Sequence, residues 1–207
     1  MRSRNIEMRL RYSGIPFRKT VEQFDFSFQP SIDRNTINDL FTLRFLHNKE
    51  NVVFLGLPGV GKTHLSVAVA MQAIYSGIMT YYIPAVKPVQ VLKRDFSEMR
   101  LNYRSSTYSK FYLMIVDEIG YLPLTREDSN LFFQFVSSRY ENRSTIFTGN
   151  KSFSERGEVM GDQVMASAVL DRILHHCTVV NIRGESYRLK DRKKNSLQTF
   201  REVKKDE

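Results

Sequence analysis

Gly56, Leu57, Pro58, Gly59, Val60, Gly61, Lys62 and Thr63 follow the pattern Gly-x-x-x-x-Gly-Lys-Thr, directly behind the apolar run Asn51–Leu55. Chemistry on a triphosphate requires this spacing. The glycines let successive backbone N–H groups close around phosphate oxygens. Lys62 supplies a point charge to the β- and γ-phosphates, and the Thr63 hydroxyl is a ligand for Mg²⁺. The helix that follows turns its partly positive N-terminus toward the same anion. His64 lies on that helix and reads as a packing or phosphate-proximal residue, not as a general base. These residues imply that the chain binds a nucleoside triphosphate.

A second group stands 55 positions beyond Lys62, where Leu113–Val116 run into Asp117 and Glu118. Mg²⁺ keeps several waters and needs few protein oxygens, so an acid at the end of a neighbouring buried strand suits it. Asp117 is the expected metal-side acid. Glu118, pointing elsewhere, would orient and deprotonate the water that attacks the γ-phosphate. Asn150 ends the apolar run Ser144–Thr148, and strand ends are where parallel sheets bind ligands. Its amide either holds the attacking water or reports the γ-phosphate, unless Gly149 and Asn150 form a plain turn. Arg172, near the end of the last long helix, either reaches a neighbouring subunit's γ-phosphate or pairs locally with Asp171. His175, His176 and Cys177 invite a metal reading, but contiguous residues do not converge on one ion as spaced ligands do.

The elements needed to position these groups alternate along the chain. Strands are expected at Asn51–Leu55, Thr80–Ile83, Phe111–Val116, Ser144–Thr148 and Cys177–Ile182. Helices are expected from Ser31 (as cap) to His47, Thr63 to Tyr75, Val86 to Tyr103, Thr125 (as cap) to Tyr140 and Asp162 to His176. Phe24, Phe26 and Phe28 alternate with polar residues, which reads as a short strand or extended arm with one apolar face, or as three phenylalanines packed on the core. Lys93, Arg94, Arg100 and Arg104 fall on or just beyond the third of these helices, as a solvated face or a DNA-facing strip. This alternation predicts βαβ units and an α/β fold with a parallel sheet between two helical layers.

At 207 residues the chain is long enough for one well-buried domain. No stretch approaches the ~18 apolar residues of a membrane span, which argues against a membrane role. No apolar segment follows the basic N-terminus as in a secretory signal. The single cysteine excludes an internal disulfide and suits the cytoplasm. The net charge of +9 is concentrated at the ends, with +5 in residues 1–20 and +4 in residues 183–207. A neutral centre with basic ends points to a polyanion such as DNA, against the alternative that basic ends serve solubility alone.

Asn51–Leu65, Val116–Leu124 and Thr178–Lys190 together resemble the IstB-type ATPases, accessory proteins of insertion-sequence transposition in the AAA+ superfamily, related to DnaC-type helicase loaders and DnaA initiators. The resemblance extends from about Leu10 to Lys194. It implies a three-layer P-loop fold with sheet order 5-1-4-3-2 and a reduced or absent helical lid. It also implies ATP with Mg²⁺, Asn150 as sensor 1, and Arg172 acting in trans between self-associated subunits. The implied partners are double-stranded DNA and a transposase. The corresponding division is a basic arm over 1–30, an ATP-binding domain over 31–184 and a basic tail over 185–207. Two departures follow: residues 1–20 are at most a remnant of the family's helical transposase-contacting segment, and Arg156 stands where tryptophan is common. With little chain after the last strand, hydrolysis is expected to be weak in the isolated monomer and stimulated by DNA. The alternatives are a replicative-helicase loader that grips single strands and a non-hydrolysing, nucleotide-gated DNA scaffold.

Overall fold

The computed structural model describes residues 2–84, 90, 108, 110–119, 125–150 and 163–190. Helix α1 spans Arg2–Tyr12, α2 Arg34–Phe41 and α3 Arg44–His47. Strand β1 covers Asn51–Gly56, α4 Lys62–Tyr75, β2 Thr80–Pro84 and β3 Leu113–Ile119. Helix α5 is Arg126–Arg139, β4 Ser144–Gly149, α6 Gln163–Leu174 and β5 Cys177–Ile182. The five strands form one parallel sheet in the order β2-β3-β4-β1-β5, the expected order read from its other edge.

Strand parity divides the core. Val52, Phe54, Ile115 and Ile146 face α2, α3 and α4, whereas Val53, Leu55, Met114, Val116 and Phe147 face α5 and α6. Successive side chains point to opposite faces, so runs such as Val52–Leu55 are apolar throughout only when both faces are covered. Thr125 opens α5 with a capping box: its hydroxyl accepts the Asp128 N–H while Asp128 accepts the Thr125 N–H. Below β3 and β4, Arg139 is buried and donates to Thr145 Oγ1 and to the carbonyls of Tyr108, Phe111 and Ser144.

Two local expectations are corrected. Phe24–Phe28 is a succession of turns and not a strand, because Asp25 accepts from the Phe28 N–H (3.1 Å) and the Ser27 hydroxyl (2.5 Å). Such short-range bonds to an aspartate compete with extended backbone. The helix expected from Ser31 to His47 is two helices. Asp33, not Ser31, caps α2 by accepting from Asn35 and Thr36, while Ser31 Oγ accepts the Arg183 N–H at 2.8 Å. Thr42 Oγ1 donates to Asp39 O (2.6 Å), and Leu43 turns left-handed at φ 62°, which ends α2 and starts α3. Apart from Gln90, which is helical, the helix expected at Val86–Tyr103 lies outside the described residues, as do Arg104, Arg156, the Asp162 cap and residues 191–207.

Candidate nucleotide site

The phosphate loop joins the end of β1 to the start of α4, at the carboxyl edge of the sheet. Gly59 and Gly61 have φ of 83° and 103°, a region that side chains rarely enter. A Cβ on Gly61 would lie 2.4 Å from the Phe24 ring, and one on Gly59 would lie 2.1 Å from Ser186 Oγ. Val60 is buried and anchors the loop, while Leu57 is exposed. Lys62 is 7% exposed, and its Nζ donates to Gly56 O (2.6 Å) and Leu57 O (2.8 Å). Burial lowers its pKa, an effect opposed by Asp117 and Glu118 and aided by Arg188.

Asp117 is buried at the end of β3, with Thr63 Oγ1 3.1 Å from both its carboxylate oxygens. Tyr82 donates to Oδ2 at 2.5 Å, and Thr148 donates to Oδ1. Here the β3–β4 register slips: Val116 faces Phe147, but Ile119 faces Gly149. Asp117 and Glu118 therefore share one opposite residue, Thr148, in the manner of a bulge. Glu118 has φ 64° and gives its N–H to Thr148 Oγ1 at 2.8 Å. The bulge turns adjacent acids apart: Asp117 inward to Thr63, Glu118 outward into the cleft.

That cleft, of about 410 Å³, runs along the loop residues Pro58–His64 and takes in Glu118. A larger groove, of about 580 Å³, borders α1 and lacks every one of these residues, so its size does not make it the nucleotide site. His64 Nε2 lies 2.8 Å from Thr20 O, and its ring packs edge-on to Phe24; burial lowers its pKa. It thus combines packing with a place on the cleft wall. Asn150 follows β4 half-buried, and its Oδ1 has no hydrogen-bond partner among the described residues. Arg172 does not join the cleft: its Nη1 donates to Ala168 O (3.2 Å), and its guanidinium lies 4.5 Å from the Phe133 ring centroid, not on Asp171.

Sequence reasoning missed the second wall of the cleft. Residues 183–190 return over the loop, where the Tyr187 N–H donates to Gly59 O at 2.9 Å. They are tied to residues 25–29 by Gln29 Nε2 to Glu185 O (2.8 Å), by Lys190 to Asp25 (3.0 Å) and by the Phe28–Tyr187 ring pair. Arg188 lines the cleft from the returning segment, and Lys19 lines it from the chain ahead of residue 25. Tyr82 and Thr148 were also missed, although their place near strand ends was a usable signal. At the other end of the sheet, Glu141, His175 and His176 bring ligand atoms within 4.8 Å of one another, all exposed. Contiguity alone therefore did not keep these histidines apart from a third ligand, although Cys177 takes no part.

The donor set fits Mg²⁺ and a triphosphate: two oxygen-bearing side chains, Thr63 and Asp117, stand beside a buried lysine and a glycine cradle closed to side chains. Known proteins agree on the nucleotide. The chain is 46% identical over 196 residues to an insertion sequence IS21 ATP-binding protein of Pseudomonas aeruginosa, covering 95% of this chain and 74% of the relative. It is 50% identical over 186 residues to an insertion sequence IS232 ATP-binding protein of Bacillus thuringiensis subsp. berliner, covering 90% and 74%. The crystal structure of DnaI has the same fold, with a TM-score of 0.67 at 19% identity over 80% of this chain and 92% of that one. The profile of the family described as IstB-like ATP binding protein matches residues 1–195. On a loop, an acid pair and a sheet order that all suit a nucleotide, this match places the chain in the IstB-like ATP-binding protein family.

Proposed function

We propose that this chain is a Mg²⁺-dependent ATPase that assembles on duplex DNA and serves a transposase in insertion-sequence transposition. The observation that carries the catalytic part is the divergence of Asp117 and Glu118 across one bulge, toward Thr63 and toward the cleft. Thr63 and Asp117 would hold Mg²⁺, which supplies neutralisation of phosphate charge. Lys62 exchanges the carbonyls of Gly56 and Leu57 for phosphate oxygens, which are stronger, charge-assisted acceptors. Glu118 orients the attacking water and takes its proton. Asn150 offers its unpartnered Oδ1 to that water or senses the γ-phosphate through its amide. Arg172, held away from its own cleft against Phe133, is available to the cleft of a neighbouring copy. The DNA and transposase parts rest on the charged ends of the chain and on the insertion-sequence names of its relatives.

Replacing Glu118 with Gln tests the central role. ATP binding should persist while turnover falls by about 10²- to 10⁴-fold, the usual contribution of a positioned base. Unchanged turnover would refute the assignment. Co-purification with a replicative helicase in place of a transposase would redirect the client without altering the chemistry.

A further inference from the structure

Asp117 is 5% exposed, so its carboxylate depends on protein donors for its orientation. Three hydroxyls reach it: Thr63 from α4, Thr148 from β4 and Tyr82 from β2. A carboxylate has about four lone-pair sites, so these donors leave roughly one for a metal-bound water. Thr63 is itself a proposed metal ligand: its hydroxyl can donate to Asp117 while a lone pair meets the metal, so it couples the acid to the metal and does not hold it independently. That leaves Thr148 and Tyr82, one on each oxygen.

Tyr82 is well suited to this task. Its ring is 8% exposed and belongs to the core beside α4, and its backbone N–H donates to Ser13 O at 2.7 Å. Ring and backbone are therefore both held, and the hydroxyl has one direction in which to point. A tyrosine hydroxyl carries its proton at neutral pH, so it serves Asp117 as a donor. We propose that Tyr82 is a positioning residue for nucleotide-bound Mg²⁺: its hydroxyl sets the plane of the Asp117 carboxylate so that it meets Thr63, with Thr148 clamping the other oxygen. The assignment rests on the Mg²⁺–ATP reading above but needs no hydrolysis.

The test titrates Mg²⁺ against binding of a fluorescent ATP analogue to the full chain, with turnover followed in parallel. Tyr82→Phe keeps the ring and removes only the donor. Its half-saturating Mg²⁺ concentration should rise about tenfold, the low end of losses seen when a ligand's hydrogen-bond partner is removed. In excess Mg²⁺, kcat should fall while KM for ATP stays within about twofold of wild type, the same partner loss appearing in turnover and not in nucleotide binding. Thr148→Val should shift the Mg²⁺ midpoint in the same direction, and Thr148→Ser should restore it. This second pair reads the clamp even if Tyr82→Phe does not fold. A wild-type Mg²⁺ midpoint in Tyr82→Phe, whatever its Tm, would assign Tyr82 a purely structural role and overturn the proposal. So would Thr148→Val with an unshifted midpoint, or wild-type binding that ignores Mg²⁺. Wild-type binding that follows Mg²⁺ without turnover would refute the ATPase reading and leave this titration decisive.

Discussion

Gly61 combines a left-handed backbone with the Phe24 ring where a methyl group would stand. Gly61→Ala should therefore cost stability and displace the loop together, with nucleotide affinity falling at least about tenfold, since an incompatible φ costs on the order of 1 kcal/mol before any clash is relieved. Nucleotide titration and a melting curve on the same sample check both effects; wild-type affinity would show that the loop tolerates the methyl. The glycines, Lys62 and Thr63 were legible as a motif because their spacing is that of a loop whose backbone can close around phosphate. The separation of Asp117 from Glu118 was legible only as an expectation. Its cause is a register slip against β4, and pairing across strands leaves no mark in a linear string. Tyr82 was hidden for a related reason: a tyrosine in an apolar run reads as core, and only the approach of β2 to β3 reveals what its hydroxyl meets.

Among elements, the clasp between residues 25–29 and 183–190 is the part least visible in sequence. Its partners are up to 165 positions apart, and Phe24–Phe28 carried a pattern that suggested a strand. Turn chemistry at Asp25 prevailed over that alternation. The same chemistry gives the clasp a pH response. The Ser27 hydroxyl, followed by Lys190 and the Phe28 N–H, lowers the Asp25 pKa from 3.8 to about 2. A depressed acid contributes its full stabilisation above its unfolded value and loses it as pH falls through the folded one. The clasp should thus be intact above pH 3.8 and weaken on acidification toward pH 2. Carboxyl-detected NMR should find the Asp25 midpoint near 2, moving upward in Ser27→Ala; a midpoint at 3.8 in the wild type would contradict the contact. The α5 cap, by contrast, was legible outright, since Thr125 and Asp128 stand at capping-box spacing.

For the whole molecule, the alternation of apolar runs with helical patterns was enough to indicate a three-layer sandwich, because strands covered on both faces must be apolar throughout. The order of the strands came from resemblance and not from periodicity. Basic ends on a neutral centre lead to a prediction at this scale: affinity for duplex DNA should fall steeply with salt, by counterion release. Arg4 and Arg11 are exposed on α1, and changing both to Gln should reduce the log–log salt slope by about 2 if each contacts phosphate. An unchanged slope would remove α1 from the DNA contact. The contact between Ser13 and Tyr82 also bears on assembly. Along β2, the N–H groups of alternate residues face away from β3; Ser13 occupies that of Tyr82, and Pro84 has none to give. A rim so short of free donors is a poor template for a foreign strand. Copies of this chain that gather on a polymer would then meet through side-chain faces, and such a crowd could come apart again instead of hardening into fibres.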